Sequence, residues 1–85
     1  MTERELDEFD EKAKQFLEEG NSERLEDILK EFAMCVSYEN GDELENPSRF
    51  MKQTGIETKS IDDFTEYQVA KTVIKDEIRK GPRYR

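Results

Sequence analysis

Apolar residues in this chain recur at intervals of three or four positions, in a sequence where 42% of the residues are charged and only 33% are hydrophobic. A chain with so little apolar material forms a core only if each element delivers its hydrophobic side chains to one side. Leu6, Phe9, Ala13, Phe16 and Leu17 do so over the first segment. At about 100° per residue they make one helical stripe, and charged residues cover the opposite face. Leu25, Ile28, Leu29, Phe32, Ala33, Cys35 and Val36 make a second stripe. Between the two, Gly20 tolerates the left-handed backbone of a helix end, and Asn21 or Ser22 offers a side-chain oxygen to the free amides of the next helix. The expectation is an antiparallel helical hairpin with its apolar faces together. Such regular spacing also argues against a disordered chain.

The second helix should end near Tyr38, because Asn40-Gly41 is a strong turn pair and residues 42–46 lack periodicity. Asn-Gly also closes β-hairpins, but its flanks do not alternate. Asn46-Pro47 then reads as a cap and first position of a short third helix that carries Phe50 and Met51 inward and stops at Gly55. Ile56 plugs the following turn. Ser60, three residues before Asp63, gives a capping arrangement for a brief fourth helix holding Ile61 and Phe64.

Ile61 and Phe64 point to nearly the opposite side from Val69, Ala70, Val73, Ile74 and Ile78 when all are placed on one helix. A break near Thr65 resolves the conflict, and Thr65 with Gln68 has the form of a capping box. The final helix is expected to run from there to about Lys80, with Gly81-Pro82 as its stop. Tyr67, Val69, Lys71 and Val73 alternate as in a strand, yet the length and the continuation from Lys75 to Lys80 favour helix. The apolar arc of this helix spans about half its circumference, more than a one-sided surface helix needs. Two readings follow: it is the central helix of the bundle, or Tyr67, Ile74 and Ile78 belong to an exposed partner or homodimer face.

Taken together, the elements predict an all-α fold, a small four- or five-helix bundle built on an N-terminal antiparallel hairpin. At 85 residues there is material for one core, hence one domain over residues 1–81, with 82–85 as a flexible basic tail. Neither a run of about 20 apolar residues nor a signal peptide is visible, so the expected location is cytoplasmic, in a cell or a virus-infected cell.

The net charge of −8 is unevenly divided: residues 1–45 hold sixteen Asp/Glu and five Lys/Arg, residues 46–85 six and nine. An acidic half of this kind repels nucleic acid and anionic membrane and steers basic protein surfaces inward. The chain has no histidine and one cysteine, Cys35. Without histidine it lacks the usual proton shuttle near neutral pH, the His-containing zinc sites and the Ser-His or Cys-His nucleophile pairs. Cys35 lies on an apolar stripe and reads as a buried, inert thiol. The carboxylates lack the glycine and ligand spacing of a calcium loop, and there is no Gly-rich phosphate loop. No catalytic site, cofactor or metal is expected.

Gly55, Ile56, Ile61 and Phe64 fall at the offsets of a glycine turn with an apolar plug and a second helix, after a first helix in which Met51 is bulkier than the small residue usual in such a pattern. Residues 50–64 thus resemble the helix-turn-helix motif of DNA-binding regulators, which implies duplex DNA contact through Lys52 and Lys59. Lys71, Lys75, Arg79 and Lys80 would extend a basic edge. The second helix of that motif faces phosphates, and here Glu57, Asp62 and Asp63 occupy it.

The leading expectation is a non-enzymatic binding protein that regulates or inhibits a partner protein with a basic surface. Glu5, Glu8, Glu11, Glu19, Glu26 and Glu31, on the outer faces of the first two helices, would carry the contact. In composition the chain resembles small acidic helical proteins of phage origin that mimic the charge of DNA. The helix-turn-helix regulator is the alternative, and a structural adaptor subunit a third.

Overall fold

The computed structural model describes residues 3–41 and 44–80. Four α-helices are present among them: α1 (Glu3–Glu19), α2 (Ser22–Glu39), α3 (Pro47–Thr54) and α4 (Phe64–Arg79), with one 3-10 turn at Thr58–Ser60. The all-α bundle and its antiparallel N-terminal hairpin are as the periodicity predicts. The basic tail and the Gly81-Pro82 stop lie outside the described residues.

Polar side chains set the helix boundaries. The Asn21 carboxamide accepts from the Arg24 amide at 3.2 Å, and Asn46 accepts from the Arg49 amide at 3.1 Å with Pro47 in the first turn. Each pairing satisfies an amide that has no partner within the helix. Gly55 closes α3 with φ of 72°, a left-handed geometry that costs a side-chain-bearing residue about 1 kcal/mol or more.

The break before the last helix exists, but its chemistry differs from the expectation. Asp63, not Thr65, is the cap: its carboxylate accepts from the Glu66 amide at 2.8 Å, while the Glu66 carboxylate accepts from the Asp62 amide at 2.6 Å. This reciprocal arrangement satisfies two amides at once and starts α4 one residue earlier. Asp63 needs extended backbone to cap (φ −142°, ψ 172°), and that excludes it from a preceding helix. The expected fourth helix around Ile61 and Phe64 is therefore reduced to the 3-10 turn, in which the Ser60 hydroxyl donates to the Glu57 carbonyl.

The element at the centre is α2, which packs against α1, α3, α4 and the 3-10 turn. Leu25, Ile28, Leu29, Phe32, Ala33 and Val36 are buried along it, and the Phe9 ring meets Phe32 edge-on at 6.2 Å. The molecule measures 35 × 27 × 18 Å, so its short dimension is about two helices deep. In so thin a bundle, most helices keep one face in water. Tyr67, Ile74 and Ile78 of α4 are at most 1% exposed, so most of the wide apolar arc is spent on internal packing, while Val69 on the same helix is 59% exposed. The expectation of a homodimer or partner face at those three residues is corrected: α1, α2 and α3 all pack against α4.

Candidate functional site

Because the stripes of α1 and α2 turn inward, their carboxylates turn out. Glu5, Glu8, Glu11, Glu19 and Glu31 are exposed. Glu26 is half-buried and sits 3.5 Å from the Lys30 ammonium, on the flank of α2 and away from its outer side. Residues 3–41 hold thirteen Asp/Glu and five Lys/Arg, whereas residues 44–80 hold seven of each. Among the described residues, the acidic character therefore belongs to the hairpin alone.

Two of the expected contact residues converge from different helices. The antiparallel pairing brings the start of α1 beside the end of α2, and Glu5 and Glu31 both act on Cys35. Its thiol is pushed above the ordinary value, first by burial and then by these two carboxylates. Cys35 is half-buried and not in the core, since it lies at the edge of its stripe. Low thiolate content is the consequence. Glu19 is placed at the other end of the hairpin, where its carboxylate accepts from the Gln15 amide at 3.4 Å. The six glutamates are thus spread along the hairpin and do not form one cluster.

Three further residues of this face, Asp27, Met34 and Tyr38, are absent from the sequence-based expectation. Met34 and Tyr38 are 38% and 81% exposed, four residues apart on the side of α2 that faces water, and Asp27 and Glu31 continue the same ridge. The signal was available as spacings of four, three and four residues from 27 to 38, which share a helix face just as core residues do. It was masked because the same helix has a stronger stripe facing the opposite way.

On the far side of the molecule, Lys71 is buried, with its ammonium 2.7 Å from the Asp10 carboxylate. The Gln68 amide donates to the other Asp10 oxygen at 3.3 Å, and the Lys71 ammonium lies 5.1 Å from the Phe32 ring centre and 5.3 Å from that of Tyr67. This joins α1 to α4. A shallow groove there is walled by Asp7 and Asp10 on one side and Lys71 and Lys75 on the other. The Tyr67 hydroxyl is fully buried and has no hydrogen-bond partner among the described residues. Burial and the Asp10 charge hold its pKa well above that of an ordinary phenol.

Lys52 and Lys59 are exposed, one on α3 and the other on the 3-10 turn. The second helix implied by the helix-turn-helix resemblance is not formed, because only Thr58–Ser60 winds and the chain from Ile61 to Asp63 is extended. Lys71 also leaves the expected basic edge, since it is consumed by Asp10. Among the described residues, no group of three Cys, Asp or Glu side chains is placed to hold a metal ion, and no helix is long and apolar enough to cross a membrane. Compared with family models, curated proteins and solved structures, the chain matches none.

Proposed function

We propose that this protein is a non-enzymatic binder that occupies a basic surface of a partner protein with the acidic outer face of its α1–α2 hairpin and thereby regulates or blocks it. The observation that carries this reading is the segregation of charge: the hairpin has an excess of eight carboxylates while the rest of the described chain is balanced. Glu5, Glu8, Glu11, Glu19 and Glu31 meet solvent and a partner's cations without any rearrangement of the fold. A fixed array of like charge also accelerates encounter with an oppositely charged surface, and salt weakens it.

Affinity capture from the source cell, read by quantitative mass spectrometry, tests the reading. The intact chain is compared with a variant carrying Glu5→Lys, Glu8→Lys, Glu11→Lys and Glu31→Lys. A partner retained by the first, lost by the second and released by moderate salt is the expected result. Equal capture by both proteins would sink the proposal.

A further inference from the structure

Along α2, Asp27, Glu31, Met34 and Tyr38 form one outward ridge, all four exposed, with the carboxylates at one end and the apolar pair at the other. The twelve residues from Asp27 to Tyr38 rise about 16 Å, or three turns. The basic residues of α2 stand off this ridge. Arg24 lies over the Phe16 ring at 5.8 Å, and Lys30 pairs with Glu26 on the flank. The Tyr38 ring, in the last turn of α2, is 81% exposed and so contributes little to packing among the described residues. Exposed aromatic and methionine side chains are the residue types that anchor protein interfaces.

We infer that this ridge seats a basic amphipathic helix of about three turns, whose apolar side chains cover Met34 and Tyr38 while its Lys or Arg residues reach Asp27 and Glu31. The inference rests on the acidic-face reading above and narrows it to one strip and one class of partner. Charge decides the occupant. A second copy packed antiparallel would press Asp27 and Glu31 against the apolar pair with no cation to meet them, and each copy carries a net charge of −8. A basic helix meets both halves of the ridge in register, and its Arg can also stack on the Tyr38 ring.

The test uses the full chain with isotope-labelled methionine methyls, in which Met34 reports the ridge and buried Met51 the core. The probes are two synthetic helical peptides of about 14 residues and identical composition. One places two Leu and two Arg on a single face at the ridge's own spacings, and the other places them on opposite faces. The in-register peptide is expected to shift the Met34 methyl and leave Met51 unmoved, and to bind about tenfold tighter than its isomer. Tyr38→Ala should erase that preference with the salt dependence intact, and Asp27→Lys with Glu31→Lys should erase binding. Equal affinity for the two peptides, an unmoved Met34 methyl at saturation, or binding of neither peptide overturns the ridge. The acidic-face reading fails separately, when the four-site charge reversal leaves partner capture unchanged. A Met34 signal that moves on dilution without peptide overturns the choice of occupant in favour of a second copy.

Discussion

Replacing Tyr67 by Phe should stabilise this protein. The hydroxyl is fully buried and without a hydrogen-bond partner among the described residues, and leaving such a group unsatisfied costs about 1–3 kcal/mol. Phenylalanine keeps the ring, and with it the tilted contact to Phe64 at 5.7 Å and the Lys71 ammonium over its face. Removing one oxygen leaves a void smaller than a methyl group, which offsets part of the gain. A net stabilisation of about 1 kcal/mol follows, or a rise in Tm of about 4–8 °C for a domain of this size. Urea unfolding followed by far-UV circular dichroism measures it, with an unchanged dependence on urea as the sign that only stability moved. Alkali provides a second arm. The folded phenol titrates above its unfolded value, so the neutral form's stability is complete below about pH 10 and is lost as pH rises toward the folded value. Near pH 11 the unfolded phenol is ionised and the folded one is not, which widens the gap between variant and parent by about 1.4 kcal/mol. A variant less stable than its parent by 1 kcal/mol or so, or a gap that stays flat with pH, refutes the reasoning and means that the hydroxyl has a partner.

Three further outcomes follow from the same geometry. Asp10→Ala strands a buried ammonium and should cost about 3 kcal/mol in urea unfolding, whereas Lys71→Met keeps the stem, leaves a carboxylate that water reaches, and should cost about 1 kcal/mol or less; equal losses would contradict the asymmetry. Asp63→Ala removes the cap of α4 and should cost about 1 kcal/mol by the same measurement, while Thr65→Ala on the exposed first turn should cost a few tenths. Alkylation of Cys35 near pH 8 should be slow and should accelerate in the Glu5→Gln, Glu31→Gln double variant, because those carboxylates raise the thiol pKa; Glu26→Gln should leave the rate unchanged, and an equal acceleration there would mean that Glu5 and Glu31 do not converge.

The helices were legible because burial imposes a period of about 3.6 residues on a chain with few apolar side chains, and the caps at Asn21 and Asn46 because their partners lie only three residues away. The site was legible only in part. Exposure of Glu8 and Glu11 follows from the stripe of α1, and Glu31 lies one turn from Cys35 on α2, yet the effect of Glu5 on the same thiol depends on how α1 pairs with α2. Local chemistry was also ambiguous near residue 63. Thr65-Gln68 and Asp63-Glu66 both have the spacing of a capping box, and the acidic pair prevailed because Glu66 also reaches the Asp62 amide. That choice removed the second helix of the helix-turn-helix resemblance. Lys71 looked like surface charge for a similar reason: its neutralising partner, Asp10, lies 61 positions away in the chain. The ridge from Asp27 to Tyr38 was hidden because exposure of an apolar side chain shows only when the fold leaves it uncovered.

The central claim is that the hairpin's carboxylates bind a basic protein surface, and the salt dependence of that affinity tests it most directly. The captured partner's Kd is measured across ionic strengths from about 0.05 to 0.5 M, for the intact chain and for the variant with Lys at positions 5, 8, 11 and 31, since the Debye length falls from about 14 to 4 Å over that range. The intact chain should weaken steeply with salt, and the variant should bind weakly at every salt concentration. Affinity that is flat in salt, or that survives the reversal, would contradict the claim.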